Sequence, residues 1–147
     1  MTIAFDRFKQ FIDDDGKLTQ DAALFIEALS HPQEWVDVTA QGAGGNTDFQ
    51  NSWVNVGSAA VTAFYKDPFG RVHLKGHINT GASGTVIFTL PEGYRPSEQL
   101  SFTCHTVSGG GGSGGHSYCI VGVNGDITLT MSGASVDVSL DNVSFRV

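Results

Sequence analysis

The chain has 147 residues, enough for one domain with a substantial core but not for a second large domain. Its 8 lysines and arginines against 15 aspartates and glutamates give a formal net charge of -7, and no basic cluster is present. Binding to nucleic-acid phosphates or anionic lipid is therefore disfavoured. Acidic residues come too early for a signal peptide, and no apolar run approaches the ~20 residues of a membrane span. We expect a soluble protein made in the cytoplasm.

Two short helices are predicted at the N-terminus, because apolar residues recur there at spacings of three and four. The two apolar stripes consist of Phe5, Phe8 and Ile12 within residues 3–12, and of Ala22, Phe25, Ile26 and Leu29. Thr19 is the predicted N-cap of the second helix, which should end before residues 31–32, a His-Pro pair. Neither helix is long enough to be stable alone in water, so each stripe should bury itself against the rest of the chain or another protein.

From Trp35 onward, apolar and polar residues alternate, and Gly, Asn and Asp-Pro supply the breaks. Strands are predicted over residues 35–39, 50–56, 60–66, 71–78, 85–90, 99–106, 117–123, 126–131, 135–138 and 140–146. Many short strands with close turns and no helices between them predict a mainly β fold, an antiparallel β-sandwich or jelly-roll-like domain over residues 35–147. Residues 1–34 form a separate helical segment in this prediction.

Two hairpin turns are predicted from their residue types. Residues 67–70, Asp-Pro-Phe-Gly, place Pro and Gly where a type I turn or a bulged loop requires them. Residues 124–125, Asn-Gly, are the pair favoured for a type I′ turn. Each pair of flanking segments should therefore form adjacent antiparallel strands.

The cysteines and histidines do not predict a metal site. Cys104 and Cys119 flank a glycine-rich stretch and could face each other on adjacent strands, but nothing indicates an oxidising compartment, so we expect free thiols. His73 and His77 would stand ~13 Å apart along a strand, too far to share an ion. His105 and His116 lie near the cysteines without the paired spacing of a zinc site. We expect no metal and no cofactor; histidines contributed by several copies of the chain remain the alternative.

Two further kinds of chemistry are disfavoured. The acidic turn at residues 13–19 resembles a calcium loop only briefly, because aligning Gly16 with the sixth position puts Phe11 and Ala22 at the first and twelfth ligand positions. No serine or cysteine is marked out by a nearby base and orienting acid, and the few acidic residues after residue 35 mostly fall at turns or strand ends. We therefore expect a protein that is not an enzyme.

The stretch Gly-Gly-Gly-Gly-Ser-Gly-Gly at residues 109–115 is the most unusual part of the sequence. It is either a flexible connection between two strands or an adaptable contact loop, whose bare backbone can approach a ligand closely. The candidate binding contacts in and beside it are Gly110, Gly111, Gly112, Ser113, His116 and Tyr118. Tyr118 suits a carbohydrate or protein contact and suits a strand end equally well.

Several motifs in a fixed order carry a family resemblance. They are FQNSWVN at residues 49–55, FYKDPFGRVHLKG at 64–76, IFTLPEGYRP at 87–96, GDITL at 125–129 and VSLDNVSFR at 138–146. In this order they resemble the C-terminal domain found in phage and prophage tail-fibre and related virion proteins. The resemblance covers residues 49–147, one domain-sized unit. The polyglycine stretch at residues 109–115 departs from this resemblance, because a short connection between strands is expected at that place.

The resemblance implies an antiparallel β-sandwich, usually trimeric, that serves in host attachment or as a particle appendage and has no catalytic residues. The residues that match the motifs suit structural roles in such a fold. These are Trp53, Tyr65, Leu74, Phe88 and Leu90 as core, Gly70 and Gly93 as turn residues with positive φ, and Pro91 and Pro96 as rigid corners.

Together these features predict a bacteriophage virion protein, a homotrimeric tail-fibre or tail-tip module that binds a host-surface glycan or protein. The N-terminal helices should anchor it to other virion proteins or join its copies. The candidate contacts for this role are Phe5, Phe8, Ile12, Phe25, Ile26 and Leu29. The alternative is a head fibre or capsid-decorating protein with no essential receptor, which the small size favours. A glycan-cleaving enzyme is the third and weakest possibility, for want of placed acids.

Overall fold

Strands are the main regular secondary structure of the protein. The computed structural model describes residues 11–13, 15–30, 33–45, 47–57, 59–108, 117–131 and 136–147. Within these ranges there is one helix, α1, at Gln20–Ser30. The strands are β1 Val36–Asp37, β2 Val54–Asn55, β3 Ala63–Lys66, β4 Arg71–Lys75, β5 His77–Asn79, β6 Thr85–Thr89, β7 Leu100–Cys104, β8 Thr106–Ser108, β9 Ser117–Val121, β10 Asp126–Met131, β11 Val136–Ser139 and β12 Ser144–Arg146.

The strands form three four-stranded sheets, in which every neighbouring pair is antiparallel. Sheet 1 has the order β1-β3-β4-β12, sheet 2 the order β6-β10-β9-β7 and sheet 3 the order β2-β5-β11-β8. The predicted mainly β, antiparallel class is therefore confirmed. The predicted strands 71–78 and 99–106 are each divided, because the chain leaves sheet 1 at Gly76 and sheet 2 at His105 to enter sheet 3.

The N-terminal part differs from the prediction of two helices, which the structure does not support. Residues 3–10 of the first predicted helix lie outside the described residues, and its last residue, Ile12, forms an antiparallel bridge with Leu18 instead. Between them the Asp13 carboxylate accepts hydrogen bonds from the amides of Asp15 and Lys17, which competes with helix formation. The second helix is confirmed as α1. No helix in the described ranges has the length and apolar composition that a membrane crossing needs.

Thr19 caps helix α1 as its residue type predicts. The Ala22 amide donates to the Thr19 hydroxyl over 3.3 Å, and the Ala23 amide donates to the Thr19 carbonyl over 2.9 Å. These bonds satisfy donors that the first turn of a helix leaves without partners. Helix α1 therefore begins where the local sequence specifies.

One core joins the three sheets. Sheets 1 and 2 pack face to face where the rings of Phe64 and Phe88 stack with centroids 6.3 Å apart. Sheet 3 adds Ile78 and Val138 to the same cluster. The largest fully buried side chains are Trp53, Phe49, Phe64, Phe88, Leu74, Ile78, Ile87, Leu90, Ile127, Leu129, Leu140 and Val38. Four of the five predicted core residues are therefore confirmed.

Tyr65 is the exception, because it is half-buried and lies outside the core. Its neighbour Phe64 is fully buried, and successive side chains of a strand point to opposite faces. Tyr65 pairs with His73, which alternates with the buried residues Val72 and Leu74 of β4. The prediction of Tyr65 as core was wrong, since Phe64 takes the inward position.

Both predicted hairpins form, and they share one geometry. In each, the glycine amide donates to the carbonyl three residues earlier, Gly70 to Asp67 over 3.0 Å and Gly125 to Gly122 over 2.9 Å. The two glycines have φ values of 80° and 91°, whereas Asn124 is not among the residues with positive φ. The turn at 122–125 is therefore a type I turn followed by a left-handed glycine, and the type I′ prediction was wrong. Gly93 also has the expected positive φ, 86°.

Trp53 holds the segment before β2 against the turn after β5. Its indole Nε1 donates to the Thr85 hydroxyl over 3.0 Å, and its ring covers the backbone of Gly81. Asn51 and Ser52, just before it, have φ values of 51° and 64°, which interrupt the predicted strand 50–56. Any side chain at Gly81 would overlap the Trp53 ring.

We expect Gly81→Ala to destabilise the protein by about 1–3 kcal/mol, because the added methyl group must displace a fully buried indole. Gly57→Ala is the matched control, since a Cβ at Gly57 meets nothing within 4 Å and its φ is not positive. The control should leave stability unchanged or raise it slightly. Urea unfolding at pH 7 measures both variants, and equal midpoints would contradict the proposed Trp53 packing.

Candidate functional site

The β-domain has a hairpin end, defined by residues 67–70, 91–96 and 122–125. Lys66 Nζ donates to the Gly93 carbonyl over 2.9 Å, which joins the first two of these segments. The Leu90 amide donates to the Gly125 carbonyl over 2.8 Å, which joins the second and third. The three turns therefore lie together.

The opposite end, here named the loop end, contains the strand ends that flank residues 109–116 and 132–135. β9 and β10 run from the hairpin at 122–125 to this end, where Ser117 pairs with Met131. The Met131 amide donates to the Ser83 hydroxyl over 2.8 Å, which brings the β5–β6 turn to the same place. The polyglycine stretch is thus attached at the end of the domain opposite the hairpins.

Five of the six predicted loop contacts lie outside the described residues, namely Gly110, Gly111, Gly112, Ser113 and His116. Tyr118 is described, and its side chain is exposed on β9, where it pairs with Thr103 and Thr130. Tyr118 is therefore an accessible ring near the loop end, one residue inside β9.

The predicted N-terminal contacts are partly described. Phe5 and Phe8 lie outside the described residues, Ile12, Ile26 and Leu29 are exposed, and Phe25 is half-buried. Phe11, Leu18 and Leu24 are further exposed apolar side chains in residues 11–30 that the prediction did not include. Helix α1 thus presents apolar side chains to its surroundings, which agrees with a segment that another surface covers.

The N-terminal segment joins the domain at the hairpin end. The Tyr94 hydroxyl donates to Gln33 Oε1 over 3.3 Å, shortly before β1 begins. Tyr94 in turn packs edge-on against Phe64, with ring centroids 5.1 Å apart. The chain therefore enters the β-domain at the end remote from the polyglycine stretch.

A row of rings crosses the outer face of sheet 1, the face turned away from the core. Trp35 packs edge-on against Tyr65 with centroids 4.5 Å apart, and Tyr65 stacks on His73 with centroids 4.8 Å apart. The Lys75 ammonium lies 4.5 Å from the centre of the Trp35 ring. Cross-strand register produces this row, since Tyr65 is paired with His73 and the Val36–Phe64 pair places Trp35 beside Tyr65.

Charged side chains border this row of rings. Arg71 and Arg146 are paired across β4 and β12, and Ser144 is paired with His73. Asp37 lies on the same face, because it is paired with Ala63, which is paired with Lys75. We call this set the aromatic face of sheet 1: Trp35, Asp37, Tyr65, Arg71, His73, Lys75, Ser144 and Arg146.

The aromatic face was not predicted from the sequence, although one signal for it was present. Arg71, His73 and Lys75 alternate with two apolar residues, so their common outward direction follows from the sequence. The hairpin at 67–70 then pairs Tyr65 with His73. Only the position of Trp35 had no local signal, because it depends on the pairing of β1 with β3.

Asp67 holds the hairpin next to this face. One of its carboxylate oxygens accepts the amides of Phe69 and Arg71, and the other lies 3.3 Å from His73 Nε2. Burial raises the pKa of Asp67, but the hydrogen bonds from Arg71, His73 and Phe69 outweigh it, so the pKa lies below its ordinary value.

The two histidines considered as metal ligands lie in different sheets. His73 is on sheet 1 beside Asp67, and His77 is on sheet 3 with its Nε2 3.5 Å from Asp141 Oδ2. Over the described ranges, no three His, Cys, Asp or Glu residues are grouped in a way that could hold a metal ion. Each histidine instead has its own carboxylate neighbour.

The cysteines are buried free thiols on adjacent strands, as predicted. Cys104 is paired with Ser117 and Cys119 with Phe102, so the cysteines are diagonal neighbours on β7 and β9. The hydrogen bond between the thiols lowers the pKa of Cys104 and, together with burial, raises that of Cys119. Their contact belongs to the core.

The fold is shared with a solved phage protein. It is similar to the crystal structure of the receptor binding protein (gp15) of Listeria phage PSA, with a TM-score of 0.65 and 21% sequence identity. The similarity covers 85% of this chain and 70% of that chain. At this identity, the likeness establishes a shared fold. The sequence itself matches no protein-family profile and no curated protein.

We expect Asp67→Ala to lower the free energy of unfolding at pH 7 by about 1–3 kcal/mol, because two backbone amides lose a charged acceptor. Asp67→Asn is the control, since it keeps the acceptor oxygen for both amides. The lowered pKa means that the stabilisation by the carboxylate charge is complete above the ordinary pKa of Asp and is lost as pH falls through the lowered value. Urea unfolding should therefore show the difference between wild type and Asp67→Asn shrinking toward pH 3; a constant difference would contradict this role.

Proposed function

We propose that this chain is a phage virion protein that attaches the particle to the host surface. Two independent likenesses support the proposal. The fold is shared with a phage receptor binding protein, and the ordered motifs at 49–55, 64–76 and 87–96 resemble the C-terminal domains of tail-fibre and related virion proteins. The protein would then be a component of the virion.

The observation that carries the proposal is the opposition of the two ends. The Gln33–Tyr94 contact joins the N-terminal segment to the hairpin end, and residues 109–116 are attached at the loop end. An attachment module needs this polarity, because one end must be held by the particle while the other faces the cell. Adaptable loops on a rigid β-scaffold are a common solution for binding.

We further propose that the chain acts by binding and performs no catalysis. The carboxylate of Asp48 accepts hydrogen bonds from the Thr39 hydroxyl and from the amides of Gly44 and Gly45, and the first of these contributes most to lowering its pKa. Burial raises the pKa of Asp141, but hydrogen bonds led by the Gly76 amide outweigh it. A general acid at neutral pH needs a raised pKa, whereas these carboxylates stabilise loops.

Oligomerisation through helix α1 is the third part of the proposal. Ile26 and Leu29 are exposed on one side of the helix with the half-buried Phe25, and exposed apolar side chains at helical spacing suit a helix–helix contact. Three copies held together would bind a repetitive cell surface with higher avidity than one copy. We propose a homotrimer whose N-terminal segments also contact other virion proteins.

Replacement of residues 109–115 by a single Asn-Gly turn should reduce binding to host cells at least tenfold, because the adaptable contact loop is lost. The measurement is flow cytometry of the fluorescently labelled chain on cells of the host and of a strain that the phage does not infect. Val123→Thr is the control, since it changes an exposed side chain at the hairpin end.

Two outcomes would contradict this assignment. Unchanged binding by the loop variant, with circular dichroism and mass unchanged, would remove the loop from the contact. Absence of host binding by wild type, together with antibody labelling across the capsid faces, would replace the attachment role by capsid decoration.

The double variant Ile26→Gln, Leu29→Gln should convert the oligomer to monomers, because its apolar stripe is removed while helix propensity is kept. Leu24→Gln is the matched control: Leu24 is 46% exposed, Ile26 is 43% exposed, and Leu24 lies on the other side of the helix. Light scattering of the full chain measures the mass. A trimer that survives the double variant, or dissociates equally in the control, would overturn the role of the stripe.

A further inference from the structure

We propose that the aromatic face of sheet 1 binds an anionic saccharide, meaning a sugar ring that carries a phosphate or carboxylate group. This inference rests on the proposed function and deepens it, because it adds a second contact surface and names the chemistry of its ligand. The face lies on the side of the domain, apart from residues 109–116.

Trp35 provides the ring face for the apolar side of a sugar, and the neighbouring rings hold it in place. Trp35, Tyr65 and His73 cross three neighbouring strands, a width of roughly 9–10 Å at the usual strand spacing. Each ring is held by its neighbour, so little side-chain entropy is lost when a ligand binds. Tyr65 and His73 stack on each other, so the negative ring face that attracts the weakly positive C–H groups of a sugar is that of Trp35. The Lys75 ammonium now over Trp35 is on a flexible side chain that a ligand can displace.

The two arginines provide a site for an anion. Arg71 and Arg146 are exposed and directly opposite each other, where like charges repel. Arg71 Nε donates to the Ser144 hydroxyl over 3.2 Å, and neither guanidinium takes part in an ion pair in the described part of the chain. A phosphate or carboxylate between them would remove the repulsion and accept two parallel hydrogen bonds from a guanidinium.

Charge also distinguishes this face from the rest of the protein. The formal net charge is -7, yet Arg71, Lys75 and Arg146 are three of the 8 lysines and arginines. Against these three cations stand the carboxylates of Asp37 and of Asp67, which lies 3.3 Å from His73, so the formal charge of the face remains positive. A face of this sign attracts an anionic ligand to an otherwise acidic protein. On the other side of the rings, the exposed carboxylate of Asp37 offers an acceptor for sugar hydroxyls and would repel a second anionic group.

These features favour a saccharide over the macromolecules that aromatic and basic residues also bind. A nucleic acid requires a continuous basic track, which Asp37 interrupts. A second copy of this face would oppose arginine to arginine, and charged residues are depleted at the centres of protein interfaces. A sugar with one anionic group satisfies the rings, the arginines and Asp37 together.

The test is a titration of the ¹⁵N-labelled full chain followed by NMR amide and indole shifts. The probes are glucose 6-phosphate, glucuronic acid, glucose and inorganic phosphate, with a thymidine oligonucleotide as the competing class. Both anionic sugars should shift the Trp35 indole and the His73 and Ser144 amides, and should bind at least about tenfold tighter than glucose. The Trp53 indole is an internal control, because it is buried and bonded to Thr85.

Variants separate the rings from the arginines. Trp35→Ala should weaken glucose 6-phosphate binding about tenfold and leave inorganic phosphate binding unchanged, while Arg71→Gln with Arg146→Gln should weaken both. Arg71→Lys should bind both ligands more weakly than wild type but more tightly than the double arginine variant, since lysine keeps the charge but lacks the planar guanidinium group. Phe69→Ala is the control for the loss of an exposed ring, because Phe69 is 63% exposed and lies in the turn at 67–70, outside the set of residues that forms the aromatic face. Amide dispersion shows whether each variant is folded.

Three results would overturn the inference. They are the absence of shifts at Trp35 and His73 with either anionic sugar, binding of the sugars by the folded Trp35→Ala variant as tightly as by wild type, and tighter binding of the oligonucleotide than of the sugars.

Host-cell binding separates this inference from the proposed function. If Trp35→Ala binds cells as wild type does while the loop variant does not, the function stands without this site. If wild type binds anionic sugars but not host cells, the site stands and the attachment role fails.

Discussion

The register of β3 against β4 is the constraint on which the rest of the structure depends. Phe64 and Leu74 face the core, where Phe64 stacks on Phe88 of sheet 2. Their paired neighbours Tyr65 and His73 must then face outward, since side chains alternate along a strand. A slip of one residue would exchange the two faces, burying polar rings and exposing the core. The same register therefore determines both the cohesion of the sandwich and the composition of its outer surface.

The topology also gives the domain a direction. Sheets 1 and 2 both have hairpins at the end where Gln33 contacts Tyr94, and both supply strands to sheet 3 through Gly76 and His105. The strand ends next to residues 109–116 are consequently carried to the far side of the core. This separation of the entry segment from residues 109–116 suits the proposed attachment role, and the aromatic face adds a surface between these ends.

Local signals account for what sequence analysis placed correctly. The hairpin at 67–70 forms as expected because Asp67 bonds amides two and four residues along the chain. The turn at 122–125 was placed correctly but given the wrong type, since its left-handed residue is Gly125 alone. Of the candidate loop contacts, Tyr118 lies among the described residues, and its side chain is exposed. Trp35 was missed because its partner Tyr65 is remote in sequence and was assigned to the core.

Local patterns in the sequence specify the mainly antiparallel β class, the start of helix α1 at the Thr19 cap and the positions of the hairpin turns, because period-two alternation, capping and turn chemistry act between neighbours in the chain. The breaks between strands at Gly76 and His105, the entry of Phe64 rather than Tyr65 into the core, and the common face of rings and arginines follow from the folded arrangement alone. These outcomes depend on which strands pair and which sheets pack, and both are contacts between residues far apart in sequence.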